Sequence, residues 1–291
     1  MSLLLDGIIS GILTGGVYAL MASGLTLVFG VLEIINVAQG SLIVAGAFLS
    51  YALLTYLHIN IFLGLILTMP FMFLVGYVVD RVFVRRLRVD RVMMSIMVTY
   101  GVALVIDGIL TMIFSTSYVH LQTAALNQSF PLAGMRVPMI YVYVFLMSVV
   151  FLLALYALLY RTTFGQALRA TAQNRNAARL IGIDVDQMSS ITFGICAALA
   201  AAGGMGYGAI SSFHPNSQFD LISRVLVIIV LGGMGNIGGA LVASLLMLVI
   251  EDVVSTVWLP NWSTLIFFIV LAMTLALRPQ GLFGSKEARQ Q

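Results

Sequence analysis

Apolar stretches of about 20 residues, the length that crosses a bilayer as a helix, follow one another along this chain with little between them. They run from Gly7 to Phe29, Ile34 to Tyr56, Ile61 to Phe83, Met93 to Phe114, Met139 to Leu159 and Ser189 to Ser211. The remainder, Leu221 to Leu277, is equally apolar but interrupted twice. Composition agrees: 9% of the 291 residues are charged, against about 25% in an ordinary soluble domain, and mean hydropathy is +1.07. Alternating polar and apolar residues are absent, which disfavours a β-barrel and leaves helices to satisfy the backbone within lipid. The expected fold is all-α, a polytopic transmembrane helical bundle of about eight to ten spans, forming one domain over residues 1–291.

Basic residues orient the spans. They gather at Arg81, Arg85, Arg86, Arg88 and Arg91, at Arg161, Arg169, Arg175 and Arg179, and at Arg278, Lys286 and Arg289. By the positive-inside rule all three clusters are cytoplasmic. Two spans separate the first cluster from the second, so residues 115–138 form an external loop. One crossing then leads out to the polar turn "SFHPNSQFD", and an odd number must return to Arg278. Three short spans are expected there, breaking near "GGMGNIGG" (Gly232 to Gly239) and "WLPNW" (Trp258 to Trp262), for about nine crossings with the N-terminus external. "MSLLLDG" has no basic n-region, so the first run reads as a retained span rather than a cleaved signal.

Groups for covalent chemistry are not assembled. His58, His120 and His214 are isolated and show no metal-ligand spacing. Cys196 has no second cysteine to pair with. Gly-x-Ser-x-Gly is missing, and the single lysine, Lys286, lacks the glycine-rich context that cradles a nucleotide phosphate. Neither catalysis, a metal, a cofactor nor nucleic-acid binding is expected of this chain. Gly7, Gly11 and Gly15, four apart, share a helical face and predict a close helix contact, as do the glycines of "AAAGGMGYG".

Polar segments are the informative exceptions. Residues 161–190 read as a helix lying across the cytoplasmic surface, with Phe164, Ala167, Leu168, Ala172, Ala178 and Ile181 as an interrupted apolar stripe. Gly182 suits a helix stop, and Asp184 or Asp186 suits the start of the next span. This segment fits anionic headgroups or a protein docking site equally well. The stretch "LEIINVAQGSLIVAGAF" places Glu33, Asn36 and Gln39 in one window, either as a polar face of a helix or as a cytoplasmic turn that caps one. "GGMGNIGG" is either a broken helix lining a path or a plain turn. Asp107, Arg224, Glu251 and Asp252 are intramembrane charges; pairing or snorkelling suits Arg224 and Glu251, while Asp107 has no assigned role.

Several of these motifs together carry a resemblance. "GVYALMASGLTLVFGVLEIINVAQGSLIVAGAF", the segment from Gly165 to Ile183, "LGGMGNIGGALVASLLMLVIE" and "LRPQGLFG" are similar to the permease subunits of bacterial ABC importers for branched-chain amino acids. The resemblance covers nearly the whole chain, and in length is closer to the shorter of the two permease types. It implies a bacterial inner-membrane importer with a second, different permease, two ATPase subunits that bind ATP and magnesium, and a periplasmic substrate-binding protein. It also implies that residues 161–190 present a coupling helix to an ATPase, through Arg161, Gly165, Arg169, Asn174, Arg175, Ala178, Arg179 and Gly182. The translocation pathway is then expected at Glu33, Asn36, Gln39, Gly40 and Ser41, with Gly232, Gly233, Gly235 and Asn236.

One departure stands out. The family pattern carries histidine before the glycine where this chain has Gln39, so any role at position 39 is hydrogen bonding or packing rather than proton transfer. Related permeases serve urea or short amides, and no residue decides between these and a branched-chain amino acid. An ion-coupled secondary carrier, using Glu33 or Asp107, is the competing class.

Overall fold

The computed structural model describes residues 2–87, 91–121, 129–132, 135–258, 260–278 and 280–283. Arg88, Lys286 and Arg289 of the basic clusters lie outside the described residues, as does part of the 115–138 loop. The helices are α1 (Ser2–Leu32), α2 (Gln39–Leu57), α3 (Ile61–Val79), α4 (Arg91–Phe114), α5 (Met139–Arg161), α6 (Thr163–Gln173), α7 (Arg175–Leu180), α8 (Val185–Ile210), α9 (Gln218–Gly232), α10 (Ile237–Val257) and α11 (Pro260–Leu277). Eight helical stretches are long and apolar enough to span a membrane, with α11 a shorter apolar helix beside them. The chain is therefore an all-α polytopic bundle. A small antiparallel hairpin, β1 (Ser129–Leu132) with β2 (Met135–Pro138), lies in the loop between α4 and α5.

Close backbone approaches at small residues hold the centre together. α1 packs antiparallel on α10, and a Cβ added at Gly11 would stand 2.5 Å from Val249 Cα. α8 packs on α2 and α3; a Cβ at Gly204 would meet the Ile43 carbonyl at 2.0 Å. The spaced glycines are thus packing devices, since lipid offers no hydrophobic drive for helices to associate and close van der Waals contact must supply it. α1 and α8 are the most enclosed spans, whereas α3, α4 and α5 turn apolar side chains such as Ile66, Val105, Met112 and Leu153 outward.

One end of the bundle collects the described members of all three basic clusters. Arg85 and Arg179 both pair with Asp186 at 3.3 Å, Arg175 reaches the end of α1, and Leu282 N–H donates to the Leu231 carbonyl at the end of α9. The three clusters therefore share one end of the bundle, as the expected crossings require. At the opposite end Val119 and Phe213 exchange backbone hydrogen bonds and Tyr118 stacks on His214, 4.5 Å between centroids.

Three boundaries differ from the sequence expectation. The second span does not begin at Ile34 but at Gln39: Glu33 takes the left-handed region (φ 54°) and Asn36 Oδ1 accepts from Ala38 N–H at 3.1 Å, a local turn that displaces the helix start. α3 stops at Val79 and continues to Val84 as a wider π-type turn. Residues 161–190 hold two short helices rather than one, because Asn174 is extended and its side chain caps α7 by accepting from Ala177 N–H. Gly182, with φ 87°, ends that pair, and Asp184 caps α8.

Candidate functional site

The segment from Asn36 to Ser41 enters the core. Asn36, Gln39 and Ser41 are fully buried, while Glu33 is exposed at the rim. Gln39 Nε2 donates to the Met21 carbonyl in α1 (3.3 Å), and its Oε1 accepts from the Cys196 thiol in α8 (2.9 Å). The start of α2 is therefore bound between two enclosed spans by a neutral amide. Gly40 lies against α9, where a Cβ would stand 2.5 Å from the Gln218 carbonyl. Ser41 donates its hydroxyl proton to Gln218 Oε1.

α4 closes this segment from the other side, and here sequence reasoning missed residues. Thr99 Oγ1 accepts from Val37 N–H at 3.1 Å, and the Asp107 carboxyl lies beside the Ser41 hydroxyl. Ser95, Thr99, Ala103 and Asp107 are all buried and fall four apart, so they form one small and polar stripe along α4. That spacing was the available signal. Gln218 carried none, since it sits in what reads as an external turn.

The glycine turn lies elsewhere. Gly233 (φ 88°) and Gly235 (φ 86°) turn the chain between α9 and α10, and Asn236 caps α10 by accepting from Gly239 N–H. Gly232 packs directly on Gly239 and Ala240, and Gly235 on Gly30 of α1. Gln39 instead touches Met21, about 13 Å further along α1 at 1.5 Å per residue. The two groups of expected pathway residues are thus not one cluster. What the turn does share is a cleft of about 310 Å³ at the end that carries the arginine clusters, lined by Gly30, Tyr160, Arg169, Gly235 and Asn236.

Two arginines of the 161–190 segment, Arg169 and Arg175, turn inward. Arg169 donates to the Leu159 carbonyl near the end of α5, with its guanidinium 4.9 Å from the Tyr160 ring centre. Arg175 donates to the carbonyls of Val31 and Leu32, both at 3.4 Å, which are among the last of α1. Both cations sit where a helix leaves unpaired carbonyls and a partial negative charge. Gly165 lets α6 fold back on α5, since a Cβ there would meet the Leu159 carbonyl at 2.2 Å. Ala178 is buried, while Arg161, Asn174 and Arg179 are exposed. The surface is left to Leu180 and Ile181, 89% and 74% exposed, an apolar pair that the stripe reading had placed partly inward.

The remaining intramembrane charges are held within the chain. Arg224 Nη1 donates to Glu251 Oε1 at 2.5 Å, and Thr14 donates to Asp252 Oδ2 at 3.1 Å. Among the described residues no group of three histidine, cysteine or acidic side chains could hold a metal.

A family model described as a branched-chain amino acid transport system, permease component, matches residues 7–275. The chain belongs to this family of permeases. Among relatives of this permease, BraD of Pseudomonas aeruginosa, a high-affinity branched-chain amino acid transport system permease protein, is 27% identical over 98% of this chain and 97% of its own. LivH of Escherichia coli, a permease protein of the same description, is 24% identical over 98% and 97%. The LsrC autoinducer 2 import permease of Yersinia pestis is 29% identical but matches only 40% of this chain. No solved structure matches. This permease is a multi-pass inner-membrane transport subunit and not an enzyme.

Proposed function

We propose that this permease forms half of the translocation pathway of an ATP-driven importer for branched-chain amino acids. In this reading a periplasmic binding protein delivers the substrate, a second and different permease completes the path, and two ATP-binding cassette subunits hold ATP and magnesium below. Similarity over nearly the full length of the LivH and BraD permeases supports the substrate class. The contact that carries the mechanism is Arg175, which joins α7 to the end of α1 immediately before residues 33–38.

Through that contact, movement of α6 and α7 reaches the candidate path. Closure of the ATPases around nucleotide would pull α7, and Arg175 would carry the end of α1 with it. The 33–38 turn would follow, and with it Asn36, Gln39, Gly40 and Ser41 against α4 and α9. Such a device works as a population shift between outward-open and inward-open states, driven by the ATPases' different affinity for the two. Arg169 ties α6 to α5 in the same way, and Arg179, through Asp186, ties α7 to Arg85 beyond α3. The cleft at Gly30, Arg169 and Gly235 gives the glycine turn room to move with them.

Leu180 and Ile181 are the docking knob in this reading, because two large apolar side chains exposed on a cytoplasmic turn otherwise cost hydration and gain nothing. Replacing both by aspartate is expected to abolish co-purification of the ATPase chains and ATP-coupled uptake, with the permease still inserted and monodisperse. Intact co-purification by the double variant would remove the coupling surface from residues 161–190.

A further inference from the structure

Three buried polar atoms around the start of α2 have no partner: Asn36 Nδ2, Gln218 Nε2 and Asp107 Oδ1. Their residues are 0%, 3% and 8% exposed. Buried polar groups in folded proteins are paired in the great majority of cases, and an unpaired one carries its full desolvation cost. Inside a membrane the alternative of a nearby water is also scarce. An ionisable side chain at such a place is a candidate site whose partner has to be named.

Among the described residues no ion pair joins Asp107 to a cation. The described salt bridges join Arg85, Arg179 and Arg224 to Asp186 and Glu251. Beside Asp107 lies the Ser41 hydroxyl, whose oxygen also stands 3.5 Å from the Ala103 carbonyl one turn earlier on α4 and whose proton is directed to Gln218 Oε1. Asp107 and Gln218 thus approach the Ser41 hydroxyl from opposite elements, α4 and α9. Asp107 presents an unfilled acceptor, and the Gln218 amide presents an unfilled donor.

We infer that Asp107, Ser41 and Gln218 form a station for the charged end of an α-amino acid, with the ammonium on Asp107 and the carboxylate on the Gln218 amide. The inference rests on the amino-acid importer reading and deepens it by assigning the substrate's polar end. An α-amino acid is one of few small solutes that carry a strong donor group and a strong acceptor group on the same carbon, and it fills both vacancies at once. The Ser41 to Gln218 hydrogen bond is the closed form. Substrate entry exchanges that bond for one from Ser41 to the carboxylate, and so loosens α2 from α9 at the point where Gly40 holds them together. Glu33 and Gln39 are left outside the station, the first at the exposed rim and the second bound to α1 and α8.

The test uses the assembled complex in nanodiscs without the binding protein, so that recognition by the permeases is read alone. Three probes are compared by competition saturation-transfer NMR: leucine, 3-methylbutylamine, which lacks the carboxylate, and 4-methylpentanoate, which lacks the ammonium. The parent complex is expected to bind leucine best and the amine more tightly than the acid. Asp107→Asn keeps size and shape, and is expected to lower leucine and amine binding about tenfold while leaving the acid unchanged, the loss that follows from removing one charge-assisted hydrogen bond. Asp107→Glu is expected to restore the preference for the amine, and an unchanged thermal midpoint of each variant complex excludes misfolding. Equal amine binding by the parent and Asp107→Asn would overturn the station. A parent complex that binds the amine in nanodiscs but takes up no leucine in proteoliposomes supplied with the binding protein would instead overturn the importer reading and leave a cation site in place.

Discussion

Replacing Glu251 by leucine is expected to remove most of the folded permease. Glu251 and Arg224 face each other at 2.5 Å with side-chain exposures of 8% and 26%, joining α10 to α9 beside Tyr18 and the Phe267 ring. Deleting the acid leaves a guanidinium enclosed without its counter-charge, and breaking one partner of a buried pair costs about 3–5 kcal/mol. A domain's whole stability is on the order of 5–15 kcal/mol, so a loss of that size is visible as a lower thermal midpoint in detergent and a smaller membrane yield. Removing both charges, as Arg224→Met with Glu251→Leu, is expected to recover much of the loss because no unpaired charge remains. A single Glu251→Leu chain as stable as the parent would mean that water already reaches Arg224.

Asn36→Leu is expected to lower uptake more than any other single change in the 33–41 segment. Asn36 is fully buried, its Oδ1 closes the turn on Ala38 and its Nδ2 faces the core unpaired. Leucine has nearly the same shape, so the packing survives, and the buried Ala38 N–H left without its acceptor costs about 1–3 kcal/mol. What disappears is a polar wall at the place where α1, α2 and α4 meet. Uptake by the reconstituted importer is expected to fall at least about tenfold, the rate change that 1.4 kcal/mol of barrier produces, while co-purification with the other subunits is unchanged. Normal uptake by Asn36→Leu would return the residue to the role of a helix turn.

Much of the architecture was legible because membranes impose few and strict rules. Run length set the spans, and the three arginine clusters set their direction, so the breaks near Gly233 and Trp258 emerged from counting alone. Spaced glycines announce a close helix contact for the same reason, and the structure supplies its partner, α10. The start of α2 was not legible. Ile34 and Ile35 are as apolar as any span residue, and the helix is displaced by a left-handed Glu33 and an asparagine turn, both of which depend on Thr99 from α4 receiving the Val37 N–H.

The arginines of residues 161–190 show a second limit. A cation on a polar stripe reads as surface, but Arg169 and Arg175 turn towards carbonyls that α5 and α1 leave unpaired, and those acceptors become visible only once the helix ends are placed. Asp107 has no legible role in the sequence, because Ser41 beside it and Gln218, which binds Ser41, come from distant elements.

The most direct test of the importer reading is uptake of labelled leucine, isoleucine, valine and urea into proteoliposomes. These would contain this permease, its partner permease, both ATPase subunits and the binding protein. Accumulation of the three amino acids that requires ATP, and persists when proton and sodium gradients are collapsed, is the expected result. Uptake of urea alone, or amino-acid uptake driven by an ion gradient without ATP, would contradict it.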